Sequence, residues 1–158
     1  MNYRAYAGLV LVALLFTTLA TAQYKEHAPL NEPDFNRPRL FDKLPAEIPV
    51  STAELNRLLS GEITIGKQAD TGGADAQLSP FKGTVVSAAK ENKVRSVVIR
   101  SEAFNGATLT LSSFTNPDGT VTFRGRIISF KHGDAYELQQ RDSQYVLVKK
   151  SFYELVYE

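Results

Sequence analysis

Imidazole is scarce in this chain, and that limits its chemistry from the start. Only His27 and His132 offer a neutral-pH acid or base, and no cysteine is present as nucleophile or thiolate ligand. His27 lies among prolines, and His132 sits in Lys131-His132-Gly133-Asp134, which reads as an exposed turn. No Gly-x-Ser-x-Gly elbow occurs, and neither does His-Glu-x-x-His nor another zinc spacing. The Walker loop, the Rossmann glycine pattern and the EF-hand spacing are also missing. These residue types predict no catalytic set, no metal and no cofactor, and so a chain that is not an enzyme.

Carboxylates can meet from distant strands, so spacing alone says less about them. Asp134, Glu137, Asp142, Glu154 and Glu158 are the candidates in the second half. Glu137 lies between Tyr136 and Leu138, and Glu154 between Tyr153 and Leu155, which places both on the wet face of a half-buried strand. A glycosidase-type pair has no specific support. Arg124 and Arg126 point the same way from one strand and, with Lys149 and Lys150, form a candidate basic patch. Glu137 and Glu154 are their expected cross-strand partners. Phe130, Tyr136, Tyr145, Phe152, Tyr153 and Tyr157 crowd the last third. Most of these rings should fill a core, whereas Tyr153 and Tyr157 would share a strand face and could line a groove. Tyr153, Tyr157, Arg124 and Arg126 are therefore the predicted binding surface.

The elements that must position these residues follow from period. Apolar residues alternate with hydroxyl or charged ones in Ala107-Thr108-Leu109-Thr110-Leu111 and again over Val121 to Ile127. Strands are expected at 81–88, 93–100, 107–114, 120–130, 135–140, 144–150 and 152–157, with a shorter one at Ile63–Ile65. Residues 67–79, with Gly72-Gly73, read as a loop. Asn116-Pro117-Asp118-Gly119 is a hairpin signal, and three further short turns carry Asn92, His132-Gly133 and Asp142. Turns this short cannot carry parallel crossovers. The expected fold is mainly β, an antiparallel meander of about 7–8 strands forming a small barrel or sandwich, with one short N-terminal helix packed on it.

That helix is expected over about 52–60. Ser51 and Glu54 form a capping box, Val50 and Leu55 a hydrophobic staple, and Leu55, Leu58 and Leu59 one apolar face, with Gly61 as the stop. Before it, residues 23–50 hold five of the seven prolines and read as an extended arm. Residues 1–22 have the parts of a cleaved signal peptide in order: Arg4, the apolar run Leu9 to Phe16, and Ala20-Thr21-Ala22. The run is too short for a spanning helix, so no membrane segment is expected after cleavage. Removing it takes one basic residue and leaves 17 of each sign in 136 residues. A neutral chain lacks the footprint of a nucleic-acid binder. The absence of cysteine and of any Asn-x-Ser/Thr acceptor suits a bacterial envelope protein: periplasmic, cell-surface or extracellular. The body, 51–158, is expected to be a single β domain.

Phe81-Lys82-Gly83-Thr84-Val85, Val97-Val98-Ile99, Gly125-Arg126-Ile127 and Gly133-Asp134-Ala135-Tyr136-Glu137-Leu138 occur in that order. Residues 81–140 in this respect resemble the β-rich prodomain of secreted reprolysin-type metallopeptidases. The resemblance implies an inhibitory or chaperone-like domain acting on such a peptidase. The chain departs from it by an extra hairpin at Asn116–Gly119 and by lacking the cysteine such prodomains often use to block zinc. No catalytic residue carries over. Three functions are thus expected of an exported β domain: a module binding a protein or other envelope macromolecule, a prodomain-like inhibitor, or a small-ligand carrier barrel. Leu109, Leu111, Phe123 and Ile127 are large enough to fill such a barrel themselves.

Overall fold

The computed structural model describes residues 36–60, 64–69 and 77–156. The expected signal peptide, arm residues 23–35, His27, Gly61, Ile63, Tyr157 and Glu158 lie outside these. Six strands follow the alternating segments closely: β2 (Gly83–Glu91), β3 (Val94–Ser101), β4 (Thr108–Thr115), β5 (Val121–Ile128), β6 (Asp134–Arg141) and β7 (Gln144–Ser151). Asn92 and Asp142 adopt positive φ in the tight turns before β3 and β7, as their short polar side chains allow. At Asn116–Gly119 the Gly119 N–H donates to the Asn116 carbonyl at 3.0 Å, and Gly119 takes φ +85°.

A strand from the proline-rich segment joins these six. β1 (Glu47–Val50) pairs antiparallel with β7, Ile48 opposite Leu147 and Val50 opposite Tyr145. Pro49 is tolerated because β1 is an edge strand. The result is one open antiparallel sheet of seven strands in the order β1-β7-β6-β5-β4-β3-β2. This corrects the expected barrel or sandwich: β1 and β2 do not pair, so the sheet does not close, and among the described residues no second sheet faces it. Helix α1 (Thr52–Ser60) and the 3-10 turn Ser79–Phe81 complete the core instead. Leu55, Leu58 and Leu59 bury their face in the same cluster as Ile99, Leu109, Leu111 and Ile127. The Glu54 N–H donates to Ser51 Oγ at 3.2 Å, capping the helix. The Glu54 side chain is 3% exposed and turns inward, where Oε1 accepts the Leu78 N–H at 2.7 Å. It thereby ties α1 to the turn that delivers Phe81.

Three further expectations change. Residues 64–69 form no named strand. Ile65 is exposed, and Gln68 makes an isolated bridge to Thr84. Backbone bonds from Gly66 to Val85 (2.8 Å) and from Ala69 to Gly83 (2.9 Å) cover part of the β2 edge. Residues 152–156 are a helix, α2 (Phe152–Val156), not a strand. The cause is local: Tyr153 N–H donates to Ser151 Oγ and Ser151 N–H to Glu154 Oε2, both at 3.3 Å, closing both arms of a cap, whereas of the box expected at Ser51 and Glu54 only the Glu54 N–H arm forms. Finally, the packed body does not begin at residue 51. Phe41 is fully buried against Phe81, Phe104 and Tyr136, with centroids 5.2–5.9 Å apart. Buried Asp134 accepts the Leu40 and Phe41 N–H groups at 2.7 and 2.8 Å. Lys149 Nζ donates to the Phe41 and Leu44 carbonyls, both at 2.6 Å, and Tyr136 donates to the Pro45 carbonyl. Three sheet side chains thus fasten residues 40–45, whose carbonyls lie ahead of the β1 ladder and take side-chain donors instead.

Candidate functional site

Gly125 lies in the middle of β5 with its Cα hydrogen facing the core. A Cβ there would come 3.0 Å from the Thr110 carbonyl and 3.3 Å from the Leu111 side chain. Glycine inside a strand marks a bend or a close backbone approach, and here it marks the end of a ladder. β5 pairs with β4 along its whole length, from Thr115↔Val121 to Thr108↔Ile128. With β6 it pairs only at Arg126↔Glu137 and Ile127↔Tyr136. Residues 121–124 and 139–141 have no partner in each other's strand, although a Cβ at Gly125 would still lie 3.5 Å from Leu138 Cβ, so the sheet opens as a wedge beyond that contact.

One side chain spans the inner side of this seam. Tyr145, on β7, directs its hydroxyl beneath β5 and accepts the Phe123 N–H at 3.2 Å. The same hydroxyl donates to Gln140 Oε1 at 3.2 Å, and the ring packs edge-on against Phe123 at 5.3 Å. A backbone donor that would otherwise bond to β6 is thereby satisfied by a phenol.

The outer side of the seam is a groove of about 730 Å³, within the range of small-ligand and peptide sites. Thr110 and Ser112 of β4, Arg124 and Arg126 of β5, and Gln139 of β6 supply its hydrogen-bonding groups, while Gln140 lines it with an amide already bonded to Tyr145 and to the Asp142 carbonyl. Arg126 donates to Glu137 Oε1 at 3.3 Å, and Gln139 Nε2 donates to Glu137 Oε2 at 3.1 Å. Arg124 stacks on the Phe114 ring at 5.8 Å and has no carboxylate partner among the described residues. The groove thus carries two guanidinium groups against one carboxylate.

The predicted site residues separate. Arg124 and Arg126 share the outer face, as their spacing requires. Tyr153 is on α2 in another groove, of about 390 Å³, with Arg37, Lys149 and Lys150 in its lining. Its ring lies 5.7 Å from the Arg37 guanidinium. The two grooves share no lining residue. Tyr157, expected beside Tyr153, is outside the described residues, and with 152–156 helical the shared strand face is lost. Glu137 meets Arg126 as expected, whereas Glu154 caps α2 instead of meeting an arginine. Thr110, Ser112, Gln139 and Gln140 were not singled out. Thr110 was legible as a hydroxyl facing away from the leucines of β4, but only the register with β5 brings it beside arginines.

One imidazole and one hydroxyl do meet: Ser129 Oγ lies 2.7 Å from His132 Nδ1. Ser129 is 1% exposed, and the His132 N–H also bonds back to its carbonyl at 3.1 Å, so this pair closes the turn before β6. Among the described residues no cluster of three His, Asp or Glu side chains is arranged to hold a metal, and no helix is long and apolar enough to cross a membrane. No family model matches this chain, and neither a curated protein nor a solved structure does.

Proposed function

We propose that this chain is an exported, non-enzymatic binding module that engages a macromolecule of the cell envelope or medium through the β5–β6 seam. The observation that carries this reading is the early end of the β5–β6 ladder. It leaves a groove whose walls present hydroxyls, amides and two guanidinium groups. Such groups recognise a polar partner by hydrogen bonds, and a groove between strands gives them fixed positions. The core face of the sheet is filled by Phe41, Phe81, Tyr136 and the helix leucines. That filling counts against a carrier of a small internal ligand, whereas the outer groove is open to a large partner.

Capture from an envelope extract tests the reading. The exported chain should retain a partner that an Arg124→Glu/Arg126→Glu chain of unchanged melting temperature does not. Equal capture by both chains would contradict it.

A further inference from the structure

The chemistry of the seam narrows what it takes, on the premise that the seam is the binding site proposed above. Two strand edges face each other across it, residues 121–124 on one side and 139–141 on the other, with no mutual register partners. Edges of this kind are templates for an added strand. The ligand whose donors and acceptors repeat at the matching interval is an extended polypeptide. The Tyr145 hydroxyl between Phe123 and Gln140 acts as a side-chain substitute for part of that missing strand. A glycan would fit less well, because no aromatic ring among the described residues lines the groove and the nearby Phe114 ring is covered by Arg124.

Charge selects among peptides. Arg126 is matched by Glu137 at 3.3 Å, and Arg124 has no carboxylate partner among the described residues. On the outer face Arg124 lies opposite Ser112, with Thr110 opposite Arg126, so a guanidinium is flanked by hydroxyl donors. Two donor types converging on one position suit a carboxylate, which accepts a bidentate bond from arginine. We infer that the seam receives an extended acidic peptide segment, its backbone bonded to the facing edges of β5 and β6 and one carboxylate paired with Arg124.

The test uses the isotopically labelled exported chain and three probes. Two are synthetic peptides of one β-forming pattern, threonine and valine alternating with glutamate in one and with lysine in the other. The third is polygalacturonate, an acidic glycan. The glutamate peptide should shift the amide resonances of 121–124 and 139–141, and the lysine peptide should not. Arg124→Ala and Arg124→Gln should each weaken the glutamate peptide about tenfold, as expected for loss of a charge-assisted pair. Arg95→Ala, on the exposed part of β3, should leave binding unchanged. Shifts at the seam with polygalacturonate but not with the glutamate peptide would overturn the peptide assignment. So would equal affinity of the Arg124 variants. If envelope capture still depends on Arg124 and Arg126 while the glutamate peptide fails, only the peptide assignment falls. If capture is indifferent as well, the seam reading falls with it.

Discussion

Tyr136 shows how much one side chain contributes when it is fully enclosed. Its ring packs on Phe41 and Phe81, and its hydroxyl reaches the Pro45 carbonyl. Burial, and next the nearby Asp134 carboxylate, push its phenol up from 10.0 to about 12. A folded-state value above the unfolded one means the neutral phenol is favoured by folding. The stability this adds is whole below pH 10 and is lost as pH rises toward about 12. Urea unfolding across that window should therefore show wild type losing stability that Tyr136→Phe does not lose. Parallel curves would contradict the buried phenol. Two glycines give a second, steric prediction. A Cβ at Gly83 would come 1.9 Å from the Arg100 carbonyl, whereas at Gly125 the nearest contact is 3.0 Å. Gly83→Ala should cost about 3 kcal/mol, because a paired strand must move, and Gly125→Ala about 1 kcal/mol. Thermal melts of the two variants check the order, and a costlier Gly125 change would be inconsistent with these contacts.

At the scale of elements, the strands with clean period-two patterns were legible, and so were their turns. Two of the elements that departed from expectation did so for local reasons. Val146-Leu147-Val148 runs on into Phe152-Tyr153-Glu154-Leu155, where apolar and polar residues also alternate, so a strand was the natural reading. The competing signal was the Ser151-x-x-Glu154 capping box, the same pattern that marks α1. β1 was hidden by Pro49, which argues against a central strand but not against an edge. The fastening of residues 40–45 was not legible, since Asp134, Tyr136 and Lys149 lie some ninety or more residues away in sequence. That fastening makes residues 40–50 part of the folded body. A chain starting at residue 51 loses Phe41, Ile48 and Val50 from the core. At about 1.5–3 kcal/mol each, these are comparable with the whole stability of a small domain. The shortened chain should lack a cooperative thermal transition. If it melts as the full chain does, the segment is not structural.

For the whole molecule, the sheet must end twice and open once. Its two ends are protected: β1 carries Pro49, and β2 is part-covered by residues 66–69 and finishes in Lys90-Glu91. The opening between β5 and β6 was not legible, because register belongs to pairs of strands and each strand alone alternates well. Gly125 was its only mark in the sequence. The proposed function depends on this opening, since a continuous ladder would erase the groove. Continuing the register from Arg126↔Glu137 by two residues would set 124 opposite 139. Because the chain has no cysteine, an introduced pair can report on that directly. Under mild oxidation an Arg124→Cys/Gln139→Cys chain should keep two free thiols, because the β5–β6 ladder does not extend far enough to hold these positions opposite each other. A Val98→Cys/Thr110→Cys chain, built on an observed register pair, should form a disulfide under the same conditions. A disulfide between positions 124 and 139 as ready as that control would mean that β5 and β6 form an unbroken ladder, and would contradict the account of the seam.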